Sequence, residues 1–412
     1  MNFTKEILSI YPSDQYEKQM ERYTQVMQQF ISSFNTQPEF VYSAPGRSEI
    51  CGNHTDHNLG KAVGASINLD IIAFVSKRDD DKIEIKANGF SDILVDLNNL
   101  DSVPSEQGDS VSLVKGICYK YKQMGFKIGG FNAYTANNVL KGSGLSSSAA
   151  FEILIAFILN DIYNGRSIDA KTMAIASQFA ENVYFGKASG LLDQLSCAYG
   201  GMIAIDFGNP ENPDVRPLPF DFDKTGYSLI ITDVNADHAD LTGDYVAIKT
   251  EMQSVASFFG KEHLNEVDFN EFKSNLKAIH QNVSERALIR AFHFFRENIN
   301  VEKMVECIDN NDFEGFKQIV LKSGRSSFMY LQNIYSDKRP TYQKVSLALC
   351  MSDEFLDQKG AWRVHGGGFG GTIQAYVPNN DVKDYIDYME SVFGSGCCYA
   401  LKIRNVGPVR II

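Results

Sequence analysis

The feature that most constrains the fold is a run of glycines and serines at 140–151 that leads directly into an apolar stretch. Residues 130–136 read as a strand before it, and the apolar residues after it read as a helix to about Tyr163. Gly142 and Gly144 permit backbone conformations that are closed to residues with a Cβ atom. Serines at the start of the helix either cap its free N–H groups or leave them for an anion such as phosphate. The run alone leaves both interpretations open.

Length, composition and charge exclude several classes of protein. With 412 residues, 44% apolar and 22% charged, the chain has room for two ordinary globular domains. A net charge of −12 argues against partners such as nucleic acid or an anionic membrane surface. The first residues lack signal-peptide features, and the apolar run at 153–159 is too short to cross a bilayer, so we expect a cytoplasmic protein. Seven cysteines without C-x-x-C spacing indicate reduced thiols.

The composition of two segments predicts breaks between regular secondary-structure elements. Residues 44–47, Ala-Pro-Gly-Arg, are typical of a sharp turn after a short strand. Prolines and acidic residues at 210–224 break every periodicity, which favours a linker there. The expected division is therefore an N-terminal domain at 1–224 and a C-terminal domain at 225–412.

A second glycine run, at 366–371, formally contains G-x-G-x-x-G. The dinucleotide-binding fingerprint requires a strand before the glycines and a helix after them. Here an apolar, β-branched strand pattern follows at 372–377, which argues against that interpretation. There is no P-loop sequence either, so any phosphate site belongs to another class.

Three blocks together, at 44–58, 142–150 and 366–371, resemble the three signature motifs of the GHMP kinases. The first contains Arg47 and His-Thr-Asp at 54–56, and it looks like the sugar signature of galactokinases. Ala180-Glu181 followed by Gly-x-x-Asp-Gln at 190–194 is similar to a further galactokinase pattern with the same interval.

The resemblance implies an α+β fold of two domains. The N-terminal domain would be similar to domain 2 of ribosomal protein S5, and the C-terminal domain would be a ferredoxin-like α+β domain. The active site would lie in the cleft between them. The implied protein is a monomeric sugar 1-kinase that binds a small-molecule sugar, ATP and Mg²⁺, and phosphorylates the C1 hydroxyl of galactose.

The resemblance also implies roles for individual residues. Asp193 would act as the catalytic base, and Arg47 would keep that carboxylate ionised and stabilise developing charge. Ser148 and Glu181 would bind Mg²⁺. The ATP phosphates would lie against Gly142, Ser143, Gly144, Leu145, Ser146, Ser147 and Ser148. The sugar would contact Asn53, His54, Asp56, Gly190 and Tyr245.

Departures from the family pattern leave two alternatives. Asn53 stands where most galactokinases carry a glutamate that contacts the sugar C6 hydroxyl, and this loss of charge admits a 1-kinase for a related sugar such as galacturonate. A sensor that binds sugar and ATP without catalysis is the second alternative, although the serine run is complete here, unlike in the known silent relatives. A zinc pair at His54 and His57 lacks a third ligand at suitable spacing.

Overall fold

The computed structural model of the chain describes Ile7 and residues 10–139, 144–235 and 241–412. Its strands form two sheets. They are β1 Phe40–Cys51, β2 Lys61–Lys77, β3 Lys82–Ala87, β4 Ile93–Asp96, β5 Phe131–Asn137, β6 Met202–Asp206, β7 Asp214–Leu218, β8 Tyr227–Asp233, β9 Ala361–Val364, β10 Thr372–Pro378, β11 Cys398–Leu401 and β12 Val409–Arg410.

The helices cover these sheets. They are α1 Tyr16–Phe34, α2 Ser110–Gln123, α3 Ser147–Asn164, α4 Ala170–Phe179, α5 Leu192–Tyr199, α6 Thr242–Phe258, α7 Phe269–Ser274, α8 Leu276–His280, α9 Glu285–Asp309, α10 Phe313–Ser326, α11 Lys344–Leu356 and α12 Val382–Phe393. A π-helical turn, Ala180–Phe185, continues α4, and another, Ser327–Leu331, continues α10. Among the described helices, none combines the length and the apolarity needed to span a bilayer.

The larger sheet has the order β12-β1-β2-β5-β3-β4, and β6 and β7 extend it from β2. Only the pair of β3 and β5 is parallel within the described strands. Helices α3 and α5 pack against β1 and β2, and their apolar side chains are buried between helix and sheet. This packing holds the start of both helices beside one strand, β1.

The smaller sheet is antiparallel, with the order β11-β8-β10-β9. It takes all its strands from the second half of the chain. A buried ion pair joins the two sheets, because Arg363 of β9 donates to the Glu49 carboxylate at 2.8 Å and to the Ile50 carbonyl at 2.9 Å in β1. Helix α9 also contacts both β1 and β2.

Two local predictions were wrong. Residues 44–47 do not turn sharply, because both flanks pair with β2, and the Pro-Gly pair instead shifts the register of one continuous strand between Pro45 and Arg47. The predicted linker contains β7, which pairs along its whole length with β6. In both places, pairing with the neighbouring strand in the chain, β2 or β6, overrides the local turn composition.

Candidate active site

An ion pair stands at the centre of the site. Asp193 lies in the first turn of α5, and Arg47 follows the register shift in β1. The Arg47 Nε and Nη2 atoms lie 2.7 and 2.6 Å from Asp193 Oδ1. Ser146 donates its hydroxyl to the other oxygen of the same carboxylate, Oδ2. Arg47 is almost completely buried, whereas about a third of the Asp193 side chain (32%) stays exposed.

These partners set the charge of the carboxylate. Burial by itself raises the pKa of Asp193, but the Arg47 guanidinium and the Ser146 hydrogen bond outweigh it and hold the pKa below its ordinary value. Asp193 is therefore an ionised carboxylate at neutral pH, with one side open to solvent. Such a group can accept a proton from a hydroxyl that approaches it.

The serine loop reaches this pair from the start of α3. Gly144 has a φ of +71°, and Ser146 adopts the same left-handed region at +58°. Arg47 also donates to the Gly144 carbonyl through Nη1, and its backbone N–H bonds the Leu145 carbonyl at 3.2 Å. Ser146 turns its hydroxyl to Asp193, and no described side chain caps the start of α3. The Ser146 hydroxyl therefore bonds Asp193 and does not cap the helix.

The remaining predicted loop residues divide into two groups. Ser147 and Ser148 occupy the first turn of α3, where backbone N–H groups favour an anion. Gly142 and Ser143 lie outside the described residues, and their predicted phosphate contacts stay predictions.

Glu181 lies in the π-helical turn and is almost completely buried, with 3% of its side chain exposed. Its Oε1 atom accepts from Ser148 Oγ at 3.3 Å and from Lys187 Nζ at 2.6 Å. Its Oε2 atom accepts from Ser189 Oγ at 2.6 Å and from Gln194 Nε2 at 2.9 Å. The structure therefore brings together Ser148 and Glu181, the two predicted metal ligands.

Gln194 Nε2 also donates to a second carboxyl group, at Glu152 Oε2, over 3.0 Å. Glu152 is fully buried in α3. Burial, followed by the nearby Glu181 charge, raises the pKa of Glu152 well above its ordinary value. Burial and the neighbouring charge therefore favour the protonated form of Glu152.

The sugar signature also contacts the segment just before Asp193. The Asp56 carboxylate sits directly against the Cα of Gly190, so that no side chain fits at position 190. Its Oδ1 atom accepts the His57 backbone N–H at 2.9 Å. His54 and Tyr245 form a loosely stacked pair, with ring centroids 6.3 Å apart and planes at 23°. Four of the five predicted sugar-binding residues are therefore in contact in two pairs, Asp56 with Gly190 and His54 with Tyr245.

Asn53 is the exception, since its side chain is fully buried. Its amide nitrogen donates to Glu49 Oε1 at 3.0 Å and to the Gly366 carbonyl at 2.7 Å. Its oxygen accepts from Ser327 at 3.3 Å and from Asn333 at 2.8 Å. Two donors and two acceptors are the whole capacity of an amide. The geometry leaves Asn53 no group for a sugar hydroxyl and does not support the predicted contact.

The second glycine run closes the site from the smaller sheet. The Gly367 carbonyl lies 2.9 Å from His54 Nε2, and the Gly368 carbonyl accepts the Tyr245 hydroxyl at 3.0 Å. His365 bonds Ser48 of β1 at 3.0 Å and packs beside Gly144. The three motifs, distant in sequence, therefore meet around Asp193.

His57 stays neutral, because burial lowers its pKa to about 4 despite the opposing charge of Asp56. Among the described residues, no group of three His, Cys, Asp or Glu side chains could hold a metal ion. The two histidines of the signature thus pack beside one another, with ring centroids 5.6 Å apart.

Sequence reasoning missed Lys187 and Ser189 as partners of Glu181. Both lie between the Ala-Glu and Gly-x-x-Asp-Gln motifs, where Gly186 turns the chain with a φ of +84°. A charged and a hydroxyl side chain immediately after such a glycine, between two functional motifs, were the available signal.

Comparisons with known proteins agree with this geometry. The galactokinase galactose-binding signature matches residues 28–77, and the GHMP kinases N terminal domain matches residues 112–201. Among solved structures, the galactokinase of Lactococcus lactis complexed with galactose superposes with a TM-score of 0.79 at 23% identity, covering 94% of this chain and 99% of that one. The mevalonate kinase of Methanococcus jannaschii superposes with a TM-score of 0.63 at 15% identity, over 89% and 98% of the two chains. The fold is that of the GHMP kinases, as predicted.

Relatives in sequence identify the family within the GHMP kinases. A galactokinase of Actinobacillus pleuropneumoniae is 32% identical over 356 residues, which cover 82% of this chain and 85% of the relative. A galactokinase of Streptomyces coelicolor is 26% identical over 386 residues, covering 93% and 96%. The chain belongs to the galactokinase family. It is a sugar kinase, a phosphotransferase that uses ATP, and its relatives give no support to a silent sensor.

Proposed function

We propose that the chain transfers the γ-phosphoryl group of ATP to the C1 hydroxyl of galactose, with Asp193 as the base. The observation that carries the proposal is the ionised, partly exposed Asp193 carboxylate, held by Arg47 and Ser146 between the serine loop and the sugar signature. A base in that position lies next to the start of α3, the proposed phosphate site, and close to Gly190, which contacts the proposed sugar-binding residue Asp56.

In the proposed reaction, Asp193 accepts the proton of the C1 hydroxyl as its oxygen attacks the γ-phosphorus. The bond between the γ-phosphorus and the bridging oxygen breaks, and ADP leaves with that oxygen. Arg47 keeps Asp193 ionised in the free enzyme, and its buried positive charge stabilises the negative charge that develops on the phosphoryl group. The N–H groups at the start of α3 bind the phosphates and fix their orientation.

Ser148 and Glu181 would hold the magnesium ion. Their side-chain oxygens are 3.3 Å apart, and Glu181 already pairs with one cationic group, the Lys187 ammonium. Mg²⁺ commonly binds one or two protein oxygens together with substrate phosphates, so this sparse donor set fits it. When bound, the ion neutralises charge on the ATP phosphates.

Galactose is a better substrate candidate than galacturonate. The relatives are galactokinases, and the uronate alternative rested on Asn53 facing the C6 group. Because Asn53 spends all of its hydrogen bonds on protein groups, it offers no binding position for a C6 carboxylate. His54, Asp56 and Tyr245, with the Gly190 backbone, are the proposed sugar contacts.

The proposal retains two domains that divide near residue 224. One observation supports it: the larger sheet draws its strands from 40–218 and the smaller sheet from 227–401. Strand β12 then returns to β1, so the last residues belong with the first sheet. The monomeric state and the cytoplasmic location stay predictions.

An ADP-release panel tests the proposal. Purified protein with ATP and Mg²⁺ is given galactose, glucose, galactosamine and galacturonate, and phosphorus NMR identifies the phosphorylated carbon. We expect turnover with galactose, phosphorylation at C1 and little activity with galacturonate. Protein that binds ATP but releases no ADP with any of these sugars would contradict the proposal. A preference for galacturonate would overturn the argument from Asn53.

A further inference from the structure

Lys187 occupies an unusual position for a surface lysine. Its side chain is 55% exposed, yet its ammonium lies 2.6 Å from Glu181, a carboxylate that is almost fully buried. Gly186 ends the π-helical turn in the left-handed region and directs the chain back over it. The Lys187 backbone N–H also bonds the Glu181 carbonyl at 3.1 Å. The lysine is thus anchored at its backbone, with a flexible stem that opens to solvent.

All four acceptor positions of the Glu181 carboxylate are used. Ser148, Ser189 and Gln194 supply neutral donors, and Lys187 supplies the only charge among them. A metal ion at Glu181 needs one of these positions. The ammonium is the partner that must leave, because it carries the same sign of charge as the metal and is the only one of the four on a long, largely exposed side chain.

We propose that Lys187 binds the nucleotide: its ammonium pairs with Glu181 in the free protein and moves to the ATP phosphates when the nucleotide enters with its metal. The inference rests on the proposed function, since it takes Glu181 as a metal ligand and the start of α3 as the phosphate site. Both ends of the movement lie within one small region, because Ser148, in the first turn of α3, already contacts Glu181.

The charges of the site support this exchange. Asp193 and Arg47 form one neutral pair, and Glu181 and Lys187 form another. Arg47 is buried and held by Asp193 and the Gly144 carbonyl, which leaves it little freedom to follow the phosphates. Lysine is a mobile point charge with three rotatable donors, a form well suited to phosphate oxygens. Lys187 is therefore the cation that can leave its carboxylate partner and move to the phosphates.

Equilibrium binding of ATP, measured by calorimetry at saturating Mg²⁺ and without sugar, tests the proposal. The Kd should rise about tenfold in Lys187→Met, as expected for a lost charge-assisted hydrogen bond. Lys187→Arg, which keeps the charge, should stay within about threefold of the wild type. Lys402→Met is the matched control, because Lys402 is also partly exposed and pairs with a carboxylate, Asp223, at 2.9 Å. Its Kd should not change.

Amine labelling provides a second readout. Modification of Lys187 by a succinimidyl ester, followed by mass spectrometry, should fall several-fold when ATP and Mg²⁺ are added, whereas labelling of Lys402 should stay constant. An unchanged Kd in Lys187→Met, or unchanged labelling of Lys187 with ATP, would mean that the ammonium remains on Glu181 and would overturn the inference. Wild-type protein that fails to bind ATP would instead contradict the proposed function.

Discussion

Asp70 in β2 and Asp193 in α5 are two carboxylates with the same direction of pKa shift, but they differ in their exposure to solvent. In both, burial raises the pKa, and arginine and hydroxyl partners lower it further than burial raises it. Asp70, in β2, is fully buried. It accepts from the hydroxyls of Tyr11 and Ser43 and pairs with Arg22 at 2.7 Å and Arg404 at 3.4 Å.

Asp193 differs in having one side free. Arg47 and Ser146 approach it from the protein, and a third of its side chain remains exposed. A lowered pKa therefore does not identify a functional carboxylate by itself. The distinguishing property is a carboxylate that is partly exposed and can accept a further hydrogen bond. Substitutions at the two carboxylates and at the partners of Asp193 should therefore differ widely in their effect on turnover.

The largest effect is expected from Asp193→Asn. The amide keeps the shape of the side chain but cannot take the proton, so kcat should fall by about three to four orders of magnitude. Because the substitution leaves the buried Arg47 without its carboxylate, the midpoint of thermal unfolding, followed by circular dichroism, should fall, but the variant should still be folded at the assay temperature. Residual turnover above a tenth of the wild-type rate would assign the base to another group.

Arg47→Met should lower kcat/KM by about two to three orders of magnitude, because it removes a buried positive charge beside the reacting groups. The variant should also change the pH profile. With the guanidinium gone, burial dominates and the pKa of Asp193 rises, so Asp193 is protonated at a higher pH. The acid limb of kcat/KM should therefore move to higher pH. A lower rate with an unmoved limb would show that Arg47 does not control this carboxylate.

Ser146→Ala should have a moderate effect. The hydroxyl supplies one hydrogen bond to the ionised Asp193, and its loss should lower kcat about tenfold. The KM for ATP should change less than kcat if the hydroxyl serves the carboxylate rather than the phosphates. Steady-state kinetics with varied ATP separates the two, and a change confined to KM would place Ser146 in phosphate binding instead.

The fold around the site follows largely from local sequence. Helix α3 was expected from its apolar run, and its observed start and end lie within a residue or two of the predicted ones. The strands before and after the glycine runs also follow their local patterns. Residues 44–47 did not, since a Pro-Gly pair is typical of a turn and only pairing with β2 on both flanks makes it part of a strand.

The motif residues of the site could be predicted from the sequence, but their hydrogen-bond partners could not. Arg47, Glu181 and Asp193 were placed by resemblance, and the structure brings them together with the serine loop. The surroundings of Asn53 could not be foreseen, because its partners Ser327 and Asn333 lie more than 270 residues away in sequence. Lys187 was missed although its place directly after Gly186 and between two motifs was a signal, because the sequence does not specify that the chain returns there to Glu181.

The smallest effect on turnover is expected from Asp70→Asn, although this substitution should destabilise the fold. It leaves Arg22 and Arg404 as buried charges without their carboxylate, a loss of about 3–5 kcal/mol in the free energy of unfolding. Urea unfolding should show that loss, while kcat per folded molecule should match the wild type at a temperature where both are folded.

The pH dependence of stability separates Asp70 from its surroundings in the same experiment. Because folding lowers the pKa of Asp70, its ionised form stabilises the protein at every pH above the unfolded-state pKa of about 4. That stabilisation is lost as the pH falls through the folded-state pKa. The free-energy difference between wild type and Asp70→Asn should therefore be constant near neutrality and shrink in acid. A variant that folds normally but turns over slowly would mean that Asp70 acts on the site, and the contrast between the two carboxylates would fail.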